Sequence, residues 1–316
     1  MKIIDVHTHG IGGYDTRTTD IEHILKIAEI HGSYGVTEIV PTVYPATTKV
    51  MRDNLALIKK AMGAQASEPV LKPECYNLKY GAAENRIPAR IIGVHLEGPF
   101  LNPLKCGSLN AITFIDPTDY NLGQLIEGFE DIIRIITISP ELDGSLNLIK
   151  RISARGIIAS MGHSNATYSE AEAAHKAGAK GITHLFNAMR PYHHREPGIA
   201  GYGLLDPDVY IEVIADPFHL HPGTLELIFR VKNPSRIIIV SDSIKAAKVP
   251  ATSVSTREGL ADMHGRLLGG SMVITEAADA LAETLRHEMT DAHNKSIILA
   301  CISTNPEKYL STSFPS

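Results

Sequence analysis

The sequence predicts an α/β protein built as a (β/α)8 TIM barrel, and three observations carry that expectation. Eight short apolar runs recur along the chain, amphipathic stretches stand between them, and no shift in composition breaks the alternation. The runs are 3–7 (IIDVH), 36–43 (VTEIVPTV), 90–97 (RIIGVHLE), 132–138 (IIRIITI), 156–161 (GIIASM), 180–185 (KGITHL), 209–215 (VYIEVIA) and 236–241 (RIIIVS). Strands that are apolar almost without interruption, and rich in Ile and Val, suit a parallel sheet covered on both sides, where neither face meets water. Eight of them with helical crossovers fit a closed barrel better than an open sheet.

Between the runs, 20–32, 47–63, 143–155, 168–177 and 222–232 space their apolar residues three and four apart, as helices with one buried stripe do. Asp20 and Ser169 are expected to open the first and fourth of these, each with a Glu within three residues. The stretches 65–89, 186–206 and 243–270 lack this periodicity and are expected as long loops. All three follow strands, so they belong on the face where barrels keep their chemistry.

The 316 residues are expected to form a single barrel domain, 1–316, since barrels routinely exceed 200 residues as one unit. Hydrophobic content of 44% and charged content of 21% provide for a sizeable core. A net charge of −5 offers no broad attraction to nucleic acid or anionic lipid. Three cysteines, Cys75, Cys106 and Cys301, show no CxxC spacing and suggest neither a disulfide framework nor a cysteine zinc site. No run of 18 apolar residues and no signal peptide is evident, so a cytoplasmic protein is expected.

In such a barrel the active site gathers side chains from the C-terminal ends of several strands. His7 and His9 end the first run, Glu97 the third, His184 the sixth and Asp242 the eighth, while His163 follows the fifth. Strand periodicity puts His7 and His9 on one face, where both reach a single ion. A lone strand-end His is more often a satisfied polar residue than a ligand, but six residues on five strands at one rim are hard to produce by coincidence. Nitrogen and oxygen donors without cysteine suit a borderline divalent ion with an open position: Zn or Fe first, Mn as an alternative. Asp242 is the candidate proton carrier, and His219 the candidate donor to a carbonyl oxygen gaining negative charge. Metal-assisted hydrolysis of an amide or ester is the reaction class.

The other histidines carry less weight. His23, His31 and His175 fall on helices, and His264, His287 and His293 far from strand ends, so solvated or packing roles are expected. His193, His194 and His221 lie in rim loops and are evenly balanced between ligand contact and solvation. His95, two residues before Glu97, is expected to support the ligands from behind.

The strings IDVHTHG, HLEGPFLNP, GHSNAT, THLFNAMRPYHHREPG, ADPFHLHP, and SDS followed by LGGS resemble the N-acetylglucosamine-6-phosphate deacetylase family of amidohydrolases. The match runs from Asp5 to about Leu310. The resemblance implies removal of acetate from the sugar amide. It makes Glu97, His163 and His184 the principal ligands and Asp242 the acid/base. His7 and His9 fall where two-metal members hold a second ion, with Glu97 bridging, so one or two ions per chain are expected, with a lean towards two. His219 matches the residue that polarises the acetyl carbonyl. Asn187, Ala188 and Arg195 match phosphosugar positions, and Leu268, Gly269 and Gly270 a further segment lining the substrate. Family members are usually homodimers, and Tyr192 to Glu196 are placed to reach across such an interface.

Two departures accompany the resemblance. In the LKCGSLN loop, where Ser108 and Leu109 stand at substrate positions, Leu109 replaces a polar His or Gln, so a sugar contact is expected to be lost. Full-length members also carry a small β-sandwich around the barrel, and its segments are expected to be missing here. The first strand then has little to anchor its near end, and barrel closure should be coupled to metal occupancy. N-acetylglucosamine 6-phosphate is the expected substrate. Leu109 motivates N-acetylgalactosamine 6-phosphate or another N-acyl sugar as the first alternative. A non-catalytic metal- or sugar-phosphate-binding protein is the second, disfavoured because no candidate ligand is missing.

Overall fold

The computed structural model describes residues 1–67, 87–249, 269–285 and 291–312. All eight apolar runs form strands: β1 Ile4–Thr8, β2 Glu38–Val43, β3 Val94–Glu97, β4 Ile133–Ile138, β5 Ile158–Met161, β6 Gly181–Ile182, β7 Tyr210–Ile214 and β8 Ile237–Val240. Sequential strands are sheet neighbours from β1 to β8, and every neighbouring pair is parallel. The seam between β8 and β1 closes at the rim through a bridge between Thr8 and Ser243. There the Asp242 amide donates to the His7 carbonyl at 2.9 Å and the His9 amide to the Ser243 carbonyl at 2.8 Å. Lower in the seam the Asp5 carboxylate accepts from the amides of His7 and Ser241. Barrel closure and the placement of three candidate ligands are therefore one set of bonds.

Helices cover the outside: α1 Ile21–Ser33, α2 Thr48–Ser67, α3 Asp119–Ile126, α4 Ser145–Ser153, α5 Tyr168–Lys176, α6 Gly198–Leu205, α7 Pro222–Val231, α8 Ile274–Thr284, α9 Asp291–Ile302 and α10 Thr304–Ser311. Asp20 caps α1 by accepting from the Glu22 amide, as its position predicts. The cap of α5 is Thr167 rather than Ser169, in a reciprocal capping box with Glu170. Ser169 lies inside the first turn, where its backbone is already helical and cannot take the extended conformation of a cap. The expected loop 186–206 contains α6, a buried helix reading GIAGYGLL. With no polar face it shows no amphipathic period, and its three glycines argue locally for a turn. Most of 65–89 and of 243–270 lies outside the described residues.

Alternation along the strands divides the core in two. Ile211 and Val213 of β7 and Ile237 and Ile239 of β8 join the cluster packed under the helices. Tyr210, Ile214, Ile238 and Val240 join an inner cluster with Ile4, Val6, Val40, Ile135 and Ile158, and Tyr309 of α10 belongs to it as well. Above this apolar floor the strand ends turn polar. Among the described residues no helix is long and apolar enough to cross a membrane.

Candidate metal centre and active site

The structure brings His7, His9, Glu97, His163, His184 and Asp242 together. They form two groups whose donor atoms are close enough for one ion each: His7, His9 and Asp242, and Glu97, His163 and His184. The Glu97 carboxylate stands between them. Its Oε1 lies 3.1 Å from Nε2 of both His163 and His184, and its Oε2 lies 3.1 Å from Nε2 of His9. Asp242 Oδ1 is 3.4 Å from His7 Nε2 and 3.5 Å from His9 Nε2. Burial works against charge on Glu97, yet His9, His163 and His184 together hold its carboxyl well below the usual carboxylate range.

The hydrogen bonds behind the rings decide what faces the centre. His9 Nδ1 lies 3.1 Å from the Thr42 carbonyl and His163 Nδ1 2.9 Å from the Lys105 carbonyl. A carbonyl only accepts, so each Nδ1 carries a hydrogen, and a ring that gives up its second proton turns a lone pair inward at Nε2. His7 does the same against Glu212, its Nδ1 3.1 Å from Oε2. The inward nitrogens of His7 and His9 are 3.3 Å apart, and those of His163 and His184 3.1 Å. Facing lone pairs on His7 and His9 repel at such a distance unless a cation sits among them, and His184, whose Nδ1 has no hydrogen-bond partner, is able to present Nε2 in the same way, so the donor set fits divalent ions.

Backbone strain marks the same residues. His163, His184 and Asp242 have φ of 47°, 33° and 46°, and Phe186 and Ala188 follow at 74° and 51°. Non-glycine residues in this region need a surrounding structure that enforces them. Ser139 Oγ donates to the His163 carbonyl at 2.7 Å, and the Asp242 carbonyl accepts from the Gly270 amide at 2.7 Å. At Gly270 a Cβ would collide with the Ser241 carbonyl, so glycine is required for this close approach. Gly269 and Gly270 thus pack on the Asp242 backbone. Leu268 lies outside the described residues.

Other expected substrate residues are placed unevenly. Gly107 passes close over Ala188 and His163, since a Cβ there would lie 3.2 Å from Ala188 Cβ. This carries its neighbours Ser108 and Leu109, both half-buried, along the rim. Asn187 is half-buried within the strained turn, between Phe186 and Ala188, its amide donating to the His184 carbonyl. Arg195 is not brought to the centre within this chain. It is exposed on the turn bridged by His193 and Glu196, and its guanidinium contacts His194. His219 lies on the loop after β7 with its side chain buried, beside a cavity of ≈ 310 Å³ that Phe186, Tyr192 and Leu220 also line. His221 caps α7, its ring nitrogen accepting from the Gly223 amide.

Several contributors escaped the sequence reading. Glu212 sits inside β7 as the one charge in YIEVI. Tyr44 stacks on the His9 ring at 3.8 Å, with Arg17 4.0 Å over its own ring. Asp216 holds His219 Nδ1 at 2.9 Å. His95, expected behind the ligands, packs edge-on against His7 and starts a buried chain. Burial keeps it well below the ordinary histidine value, so it is neutral. Its Nδ1 donates to the Val6 carbonyl, and its Nε2 accepts from Thr137, which leads on to Thr183 and Ser160.

The comparisons agree with this geometry. Over 301 residues the chain is 32% identical to N-acetylglucosamine-6-phosphate deacetylase of Bacillus subtilis (strain 168), taking in 92% of this chain and 72% of that one. It is 30% identical to N-acetylgalactosamine-6-phosphate deacetylase of Escherichia coli O157:H7, over 87% of this chain and 69% of that one. Among solved structures, N-acetylglucosamine-6-phosphate deacetylase of Thermotoga maritima superposes with a TM-score of 0.80 at 27% identity, covering 98% of this chain and 78% of that one. The enzyme of the same name from Mycobacterium smegmatis gives 0.83 at 25% identity, with the same coverage. No family model matches the chain. With the buried His, Glu and Asp groups in place, these likenesses are sufficient: the chain belongs to the N-acetylglucosamine-6-phosphate deacetylase family and is a (β/α)8-barrel amidohydrolase of deacetylase type.

Proposed function

We propose that the chain hydrolyses the amide of N-acetylglucosamine 6-phosphate, releasing acetate and glucosamine 6-phosphate, with two divalent ions per chain, Zn or Fe. The observation that carries this reading is the position of Glu97 between His7–His9–Asp242 and His163–His184, where one carboxylate would serve both ligand groups. When bound, divalent cations polarise oxygen groups and bring a water within reach of deprotonation near neutral pH. Asp242 is the most open of the carboxylates at the centre, its side chain 13% exposed against 4% for Glu97, so it meets the substrate. It takes the proton from the attacking water and returns it to the leaving amine. His219 donates to the acetyl oxygen as negative charge builds there.

The half-buried Asn187, with Ala188, Ser108 and Leu109, lines the sugar subsite on the same rim. Arg195 suits the phosphate through its planar fork of donors. Its exposure within one chain fits a homodimer in which the 192–196 turn serves the partner's site. The single barrel domain and a cytoplasmic setting complete the reading. The likeness to the E. coli O157:H7 enzyme, together with apolar Leu109 at a sugar position, favours N-acetylgalactosamine 6-phosphate as the second reading.

The test is acetate release from both phosphosugars and from unphosphorylated N-acetylglucosamine, run with metal analysis of the same preparation. The reading expects near two equivalents of Zn or Fe and turnover fastest on the glucosamine phosphate. Faster release from the galacto epimer favours the second reading. Metal-free protein that stays inactive after Zn or Fe is added back overturns both.

A further inference from the structure

We infer that Asp216 is a positioning residue that fixes His219 as a hydrogen-bond donor aimed through Nε2 at the substrate carbonyl. The inference rests on the deacetylase reading above and extends it to a residue that reading does not use. His219 Nδ1 lies 2.9 Å from both carboxylate oxygens of Asp216. Oδ1 also accepts from the backbone amides of Phe218 and His219, each at 2.9 Å, so the carboxylate is locked into its own turn. Asp216 is 2% exposed and stands two residues beyond β7.

A carboxylate only accepts, so Nδ1 carries a hydrogen and Nε2 is the nitrogen left to face a ligand. A neutral ring in that orientation offers a lone pair at Nε2, which repels a carbonyl oxygen. Donation requires the second proton. Burial opposes that charge, but the hydrogen bond to Asp216, the Asp216 charge and the Asp242 charge together outweigh it, so His219 protonates above the ordinary histidine value. The titratable groups around it are Asp216 on its own turn, Asp242 beyond β8, and His221 and Tyr192 on the walls of the adjoining cavity. Of these, Asp216 alone holds the ring by a direct bond.

The experiment uses the metal-loaded protein with N-acetylglucosamine 6-phosphate and the variants Asp216→Asn, Asp216→Glu, His219→Asn and the Asp216→Asn/His219→Asn pair. Asn keeps the shape and removes the charge. It is expected to lower kcat by about tenfold or more, with KM little changed, because the lost donor acts where charge develops. The alkaline limb of the kcat profile should move to lower pH, since the imidazolium loses its proton earlier, and Asp216→Glu should move it back. The double variant should be no slower than His219→Asn alone. Imidazole 15N signals of His219, identified by their absence in His219→Asn, should show both nitrogens protonated at neutral pH in the parent and one in Asp216→Asn.

An unmoved pH profile in Asp216→Asn, or a further loss in the double variant, overturns the inference. If the parent releases no acetate from this sugar, the deacetylase reading has failed, and the 15N signals still decide the Asp216 question. If Asp216→Asn does not fold, a parent Nε2 without a proton at neutral pH is enough to overturn it.

Discussion

Nδ1 of His7 on β1 lies 3.1 Å from Oε2 of Glu212 on β7, across the barrel interior, with both side chains buried. The carboxylate fixes the ring and makes its inward nitrogen more basic, as carboxylates behind metal-bound histidines do. Glu212→Gln is expected to weaken metal binding by about 10–100-fold. Competition titration against a chromophoric chelator measures this, and affinity equal to the parent's would remove Glu212 from the centre.

Metal removal should loosen the barrel itself. His7 and His9 flank Thr8, which bridges Ser243, while Asp242 is bonded through its amide to the His7 carbonyl. Ions held by these side chains therefore tie β1 to β8. At a free metal concentration of about a hundred times Kd, the linkage is worth about 2.7 kcal/mol. Chelation should lower the thermal midpoint, and adding Zn back should restore it. A midpoint that ignores the chelator would show that the seam stands without the ions.

The six residues named for the centre were legible because they share a position: each follows or ends an apolar run, and a barrel gathers such positions at one rim. Glu212 and Tyr44 were less legible for the converse reason. Glu212 lies inside a run, where its charge is the only signal, and Tyr44 is an aromatic after a strand, which is ordinary. Asp216 left a trace in ADPFH, three residues before His219, but turn chemistry of that kind is common. The helix α6 left none, because burial on all sides erases the periodicity that reveals amphipathic helices. Arg195 shows a different limit: a motif can name a residue that the fold of one chain leaves exposed and away from the centre.

Asp242→Asn is expected to keep the fold and the metal while losing about 10²–10⁴-fold in kcat, the range for a lost general acid/base. Asn preserves an oxygen toward His7 and His9 but cannot carry the proton. Metal content at the parent's level with near-parent turnover would exclude Asp242 as the proton carrier.

His31 gives a stability prediction with a definite sign. It is fully buried, its Nε2 3.0 Å from Thr8 Oγ1, and burial pushes it down to about 4. An unfolded histidine titrates near 6.5, so between about 6.5 and 4 the unfolded chain binds the extra proton. Stability should fall as pH drops through that window, by on the order of 3 kcal/mol, and change no further from this group below about 4. Urea unfolding of the parent and of His31→Gln isolates the effect, because other groups cancel. The parent's advantage should shrink from pH 7 to pH 4, and a constant difference would contradict the assignment.

Gly270→Ala separates two roles for the glycines after residue 268. If the segment serves only to line the substrate, one methyl should act mainly on KM. Its Cβ would instead meet the Ser241 carbonyl, while the Gly270 amide holds the Asp242 carbonyl. Displacing that bond moves Asp242, whose φ of 46° already depends on its surroundings. The expected outcome is a fall in kcat of about tenfold or more with KM nearly unchanged, since small misplacements of a proton carrier are costly. Steady-state kinetics on the phosphosugar checks this. A rise in KM at constant kcat would return Gly270 to the substrate wall, because uniform binding is then the quantity lost.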